Sequence, residues 1–248
     1  KSMCFADHCS SDARIRQALV PAAARISTTD SYANPKQLIR VDGKPVIIHL
    51  LKGLLSAGME RVVITLGHKG QAIAEEVRRV DFEPMRIEFV WCEPSSWKRG
   101  HASNILAARS AFAGPDPLLI VMSDHLFDAA LLRQLADIPL SSTPEAAVLV
   151  DDSPELITWA GQKHCGVHCR NGHCYSLVKV LKGAEDRVSR IGKKLSAFDA
   201  LEAGAYAAQP SVFEVLGALL TQSTYCTLAD AMQVLAAEGR LRFLSVGE

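Results

Sequence analysis

The sequence predicts the α/β class: a mixed, mainly parallel sheet with helices on both faces, Rossmann-like in plan, and a β-hairpin added toward the C-terminal half. Three observations carry that prediction. Short, wholly apolar runs such as LLIVM (118–122) suit strands buried on both faces. Segments with apolar residues at helical spacing alternate with those runs, as a parallel sheet requires. Asn171-Gly172, set between two alternating segments, is a strong hairpin signal.

In chain order, residues 1–16 are polar and aperiodic and read as a tail, with 17–248 as one domain. QALVPAA (17–23) is the first strand. Within 33–47, Pro45 opens a helix whose Val46, Ile47, Leu50, Leu51, Leu54 and Leu55 share a face, and Gly58 ends it. RVVITLG (61–67) is a second buried strand, 71–79 a helix and RIEFVW (86–91) a third strand. The polar loop CEPSSWKRG (92–100) leads into a helix from near His101 to about Phe112; unpaired amides at such a helix start suit an anion. The run 118–122 ends in Ser123-Asp124-His125, and the helix-like LFDAALLRQLA follows at once. AAVLV (146–150) is the last parallel-type strand. From Asp151 the pattern is antiparallel: the hairpin, then 190–208 as a loop feeding a strand, helices near 211–220 and 228–238, and a final strand LRFLSV (241–246).

Composition narrows the function. The 248 residues carry 27 basic and 27 acidic side chains, so net charge argues for neither nucleic acid nor an anionic membrane as partner. No run approaches the roughly 20 apolar residues of a membrane helix, and the N-terminus has no secretory core, so a cytoplasmic protein is expected. Seven cysteines, an odd number in a chain this long, suit reduced thiols.

Asp124 is the principal candidate. It stands where a buried strand ends, and in open α/β sheets ligands bind beyond the carboxyl ends of strands. A metal- or phosphate-handling carboxylate and an N-cap to the following helix are both open readings. Lys36, Lys44, Lys98, Arg99, Lys193 and Lys194 sit in loops beside strand ends or helix starts. Singly they only solubilise; together, around one carboxylate and without a Ser-His-Asp or Cys-His arrangement, they suit phosphoryl or nucleotidyl transfer. His164, Cys165, His168, Cys169, His173 and Cys174 could ligate zinc, but strand alternation sends neighbours to opposite faces, so they read as hairpin residues. Cys4, His8 and Cys9 read as part of the tail.

PKQLIRVDGKPVI (35–47), GHASNI (100–105) and MSDHLFD (122–128) resemble, in order and spacing, the nucleotidyltransferases that couple an NTP to a phosphorylated small molecule. The resemblance covers about 17–245. MSDHLFD together with 190–208 looks most like the CTP:inositol-1-phosphate, phosphocholine and phosphonate cytidylyltransferases. It implies a GT-A-like fold with the hairpin on the acceptor side, Mg2+ as cofactor, and CTP with a small phosphorylated alcohol or phosphonate as substrates. It implies that Lys36 contacts the phosphates, Ala22, Ala23, Gly100, His101 and Ala102 border the nucleotide, and Asp124 holds Mg2+. Lys193 would hold the acceptor phosphate above a floor at Gly204, and His125 matches the family's GDH, with a packing role equally open. A sugar-1-phosphate nucleotidylyltransferase using UTP or dTTP, and a non-catalytic nucleotide-binding regulatory subunit, are the alternatives. A fused enzyme domain or a homodimer partner is left open.

Two departures bear on this. The family's glycine-rich AAGxGTR reads PAAARIST here; three residues of type GxG between Ala23 and Ala24 would bring Arg25 onto the family's catalytic arginine, so that loop is expected to be missing from the sequence at this junction. Relatives also carry a second metal-binding aspartate after the strand equivalent to LRFLSV, and the segment bearing it is expected to be lacking here.

Overall fold

The computed structural model describes residues 14–23, 35–141, 143, 145–162 and 177–247. Arg25, the Ala23–Ala24 junction, Cys4, His8, Cys9 and the predicted 164–174 hairpin lie outside the described residues.

The chain runs β1 (Gln17–Ala22), a 3-10 turn (Lys36–Leu38), β2 (Arg40–Val41), β3 (Lys44–Pro45), α1 (Val46–Ser56), β4 (Arg61–Leu66), α2 (Gly70–Arg78) and β5 (Arg86–Trp91). It continues through a 3-10 turn (Ser96–Arg99), α3 (His101–Leu106), a 3-10 turn (Arg109–Phe112), β6 (Leu118–Val121), α4 (Ala129–Ala136), β7 (Ala146–Asp151) and α5 (Pro154–Gln162). Then come β8 (Lys179–Lys182), β9 (Val188–Gly192), β10 (Ala200–Ala208), α6 (Val212–Gln222), α7 (Leu228–Ala237) and β11 (Leu241–Ser245).

Among the described residues the main sheet has the order β11-β7-β10-β6-β1-β4-β5, with β8 bridging β10 and β9, and β2-β3 form a separate ribbon. β10 runs antiparallel to both β6 and β7, whereas the β1–β4, β1–β6, β4–β5 and β7–β11 pairs are parallel. The mixed, mainly parallel sheet is thus as expected, and the inserted β10, with the antiparallel β8 and β9 beside it, makes it mixed. Alternation along β1 divides the core: Ala18, Val20 and Ala22 face a layer with Ile47, Leu51 and Leu54 of α1, while Leu19 faces a layer with Ile105 of α3 and Phe213 of α6. Burying a Leu or Ile fully contributes roughly 1.5–3 kcal/mol, so these two layers fix the strand ends on which the site is built. Among the described residues no helix is long and apolar enough to cross a membrane.

Several expectations are corrected. The helix expected over 101–112 is α3 followed by a separate 3-10 turn; the chain tightens into i→i+3 bonds at Ala108 and Ala111, and Phe112 stacks on Phe213 at 6.0 Å between ring centroids. α5 lies inside a stretch read as wholly antiparallel; Pro154 begins it, with Glu155 in its first turn. The start of 190–208 is strand rather than loop, because Ile191 pairs with Val180 across β8–β9.

Candidate active site

The carboxyl ends of β1, β4, β5, β6 and β7 point to one rim, since these strands run in the same direction. Asp124 follows β6 there. The α4 helix is N-capped by Asp128, whose Oδ1 accepts the Ala130 N–H at 2.7 Å. That removes the N-cap reading of Asp124: the cap of α4 is Asp128.

What Asp124 does bind is its neighbour. His125 Nδ1 lies 2.9 Å from Asp124 Oδ1, and both side chains keep contact with solvent. That hydrogen bond is the main reason the Asp124 carboxyl titrates below its ordinary range, with the charges of His125 and Lys36 acting in the same direction against partial burial. The same bond raises the His125 imidazole, helped by the Asp124 and Glu202 charges. The ring stacks against Phe127 at 6.1 Å between centroids.

His101, at the start of α3, reports on the charges around it. Its pKa is lowered, first by desolvation and then by the positive charges of Lys193 and Lys36, while Asp124 opposes them. The charges of Lys36 from the turn after β1, Lys193 from the turn after β9, and Asp124 are therefore all felt at one histidine. Of the other cations named from the sequence, one is committed elsewhere. Arg99 is turned away, its Nη2 donating to the Leu220 carbonyl of α6 at 2.8 Å. Lys44 belongs to the β2–β3 ribbon, and Lys194 is exposed beside Lys193.

The floor is made by β10. Gly204 has φ +89°, and a Cβ built there would lie 2.8 Å from His125 Cδ2 and 3.0 Å from its Cγ and Nε2. Only a residue without a side chain lets the strand pass so close beneath the imidazole. The Gly204 carbonyl accepts the Met122 N–H at 2.8 Å, and its own N–H donates to Glu202 Oε1 at 2.7 Å. Burial raises the Glu202 carboxyl, against the lowering effect of a hydrogen bond from the Tyr206 hydroxyl.

The GHASNI segment is held from behind. Gly100 has φ +87°, and a Cβ there would overlap the Cys226 carbonyl. That carbonyl accepts the Ala102 N–H at 3.2 Å, and Cys226 N–H donates to the Arg99 carbonyl at 3.0 Å. The close approach that Gly100 allows is thus to the loop ahead of α7, and the fully buried Ala102 has its amide engaged there. Ala22 and Ala23 are buried where β1 reaches the rim.

Sequence reasoning missed Gln37, Ser123, Glu202 and Tyr206. Alternation on β10 puts Glu202, Gly204 and Tyr206 at every second position, which was the available signal. Nothing local marks Gln37 and Ser123, which meet across 86 residues of sequence separation.

Among the described residues no group of three His, Cys, Asp or Glu side chains could by itself hold a metal ion. Asp124, ionised and solvent-accessible at the rim, fits a hard divalent cation that completes its shell with phosphate and water oxygens.

The family model described as the MobA-like NTP transferase domain matches residues 23–235. Among curated proteins the chain is 32% identical over 116 residues to the bifunctional protein GlmU of Syntrophomonas wolfei, covering 46% of this chain and 24% of that protein. It is 30% identical over 117 residues to the CMP-5'-(3-aminopropyl)phosphonate synthase of Streptomyces rubellomurinus, covering 47% of this chain and 18% of that protein. The chain thus spans about a quarter or less of the length of these two relatives. Among solved structures, the inositol-1-phosphate CTP transferase from T. maritima superposes with a TM-score of 0.72 at 18% identity, over 94% of this chain and 86% of that one. A UDP-glucose pyrophosphorylase complexed with UDP-glucose gives 0.70 at 14% identity, over 94% and 91%. At those identities the likeness establishes the nucleotidyltransferase fold.

Proposed function

The chain belongs to the MobA-like NTP transferase domain family, and from that premise we propose that it is a Mg2+-dependent cytidylyltransferase. It transfers CMP from CTP to a small phosphorylated alcohol or phosphonate and releases pyrophosphate. An oxygen of the acceptor phosphate attacks the α-phosphorus of CTP; a new P–O bond forms, and the bond from the α-phosphorus to the bridging oxygen breaks, with its electron pair leaving on pyrophosphate.

The supporting observation is the convergence of Asp124, Lys36 and Lys193 on His101 at the carboxyl rim of the sheet. In this reading Lys36 neutralises charge on the triphosphate and Lys193 binds the acceptor phosphate, so that two anions can approach each other. Asp124 would hold the cation, which when bound would polarise the phosphoryl oxygens and offset the charge on the leaving group. Ala22, Ala23, Gly100, His101 and Ala102 border the nucleotide, with the Ala102 amide reserved for Cys226. In the same reading His125 and Gly204 serve as the acceptor wall and floor, and Arg25, outside the described residues, is assigned the family's catalytic arginine.

Pyrophosphate release on incubation with CTP, Mg2+ and a panel of phosphorylated alcohols and phosphonates tests the reading, and turnover of at least one acceptor is the expected result. Silence across the panel would favour a nucleotide-binding regulatory chain. A sugar-1-phosphate nucleotidylyltransferase using UTP or dTTP is the second reading, favoured by the superposition on the UDP-glucose enzyme. Thermal shifts separate the two: a nucleotide at about 100 times its Kd adds about 2.7 kcal/mol of stability, and stabilisation by UTP or dTTP but not CTP would reverse the order.

A further inference from the structure

β1 and β6 are joined at Ala18↔Leu119 and Leu19↔Ile120, and their ladder stops there. Pro21, two residues on, has no N–H with which to continue it. The strands therefore part where the crevice opens, and side chains close the gap. The Ser123 hydroxyl donates to the Pro21 carbonyl at 2.7 Å and accepts from Gln37 Nε2 at 2.9 Å. A hydroxyl has one proton to give and lone pairs to receive, so both functions of Ser123 are used. Gln37 and Ser123 are only 7% and 3% exposed. A buried amide and hydroxyl stabilise a fold only when bonded, and apolar side chains would fill the same space at less risk.

The placement of the pair suggests its use. Gln37 follows Lys36 in the turn Lys36–Leu38, and Ser123 precedes Asp124 at the end of β6. Three segments, the turn, β1 and β6, meet at one hydroxyl, and each charged group is one peptide unit from the junction. We infer that Gln37 and Ser123 are positioning residues, a tether that sets the distance between Lys36 and Asp124 across the mouth of the crevice. The inference rests on the roles proposed above for those two charges.

The test is steady-state pyrophosphate release, using the NTP and acceptor that the wild type turns over, with Ser123→Ala, Gln37→Met, the double variant and Ser123→Thr. Misplacing a reacting group by about 1 Å can cost about 100-fold. Each of Ser123→Ala and Gln37→Met is therefore expected to lose about 10- to 100-fold in kcat with nucleotide KM within about threefold of wild type. The double variant is expected to be no worse than the worse single, because both remove one junction. Ser123→Thr, which keeps the hydroxyl, restores kcat; a purely structural role would shift melting temperature without this split between kcat and KM. Should Gln37→Met fail to fold, the comparison of Ser123→Ala with Ser123→Thr carries the test.

Lys36→Ala and Asp124→Ala separate the two levels of the argument. If both abolish turnover while Ser123→Ala and Gln37→Met stay within about twofold of wild type, the tether is refuted and the assignment of the charges stands. If Lys36→Ala or Asp124→Ala retains turnover, or the wild type is silent with every NTP, the assignment falls and the tether with it.

Discussion

Replacing Gly204 by Ala tests the packing of β10 against His125. The new Cβ would lie 2.8 Å from Cδ2 and 3.0 Å from Cγ and Nε2 of the ring, at φ +89°. Two costs follow. A side-chain-bearing residue forced into a left-handed conformation costs about 1–2 kcal/mol. The ring must also move off its position, giving up the 2.9 Å bond to Asp124 Oδ1 and the stacking on Phe127. A net hydrogen bond contributes about 0.5–1.5 kcal/mol, and the low end applies because both partners are in contact with solvent. The sum is about 1.5–2.5 kcal/mol, which for a domain of this size lowers Tm by about 3–10 °C. Calorimetry of wild type, Gly204→Ala, His125→Ala and the double variant reads it. In the His125→Ala background the collision is gone, so Gly204→Ala should cost only the backbone strain, about 1–2 kcal/mol. Additive effects across the cycle, or a Gly204→Ala protein melting within a degree of wild type, would refute the contact. Turnover should fall further than stability, because the displaced ring no longer orients Asp124.

Gly100→Ala is expected to be more damaging than Gly204→Ala: the obstacle is the backbone carbonyl of Cys226 rather than a mobile ring, and denaturant unfolding should rank them in that order. Asp124→Ala and Asp128→Ala should show opposite behaviour. Asp124→Ala loses metal-dependent turnover by orders of magnitude with little loss of stability, whereas Asp128→Ala, which removes the cap on Ala130 N–H, costs about 0.5–2 kcal/mol and spares turnover. Glu202 supplies a pH dependence. Burial raises its carboxyl above the ordinary value of 4.5, so in the window above 4.5 the folded state holds a proton that the unfolded chain has released. Its contribution is complete below 4.5 and is lost as pH rises through the folded pKa. Glu202→Gln should therefore flatten the fall in Tm as pH rises above 4.5, and an equal offset at every pH would contradict it.

Local patterning carried much of the fold. The buried runs became β1, β4, β6 and β7 because parallel strands covered on both faces must be apolar throughout. The helix after Pro45 appeared with Val46, Ile47, Leu50, Leu51 and Leu54 buried, as its spacing required. What local pattern could not convey was neighbourhood. β10 is inserted between β6 and β7, and its alternation identifies a strand without saying which strands flank it. The helix α5 was hidden for a different reason, since Pro154 following Ser153 is a helix-start signal that a reading tuned to antiparallel strands passes over.

The candidate site divides along the same line. Asp124, Lys36 and Lys193 drew the reading because each is a charge at the end of a buried strand or in a loop beside one. Whether such charges meet depends on which loop folds toward which, and here the sequence overcounted: Arg99 looks like its neighbours in composition yet serves the α6 carbonyl of Leu220. The N-cap alternative left open for Asp124 is the one the structure removes. Asp128 stands immediately before the apolar run Ala129–Ala136, which is where an N-cap belongs. The cap thus lies four residues beyond Asp124. A carboxylate at a strand end that does not cap the following helix, and whose ionised form is favoured by His125 and Lys36, stays charged and in contact with solvent at the rim of the sheet.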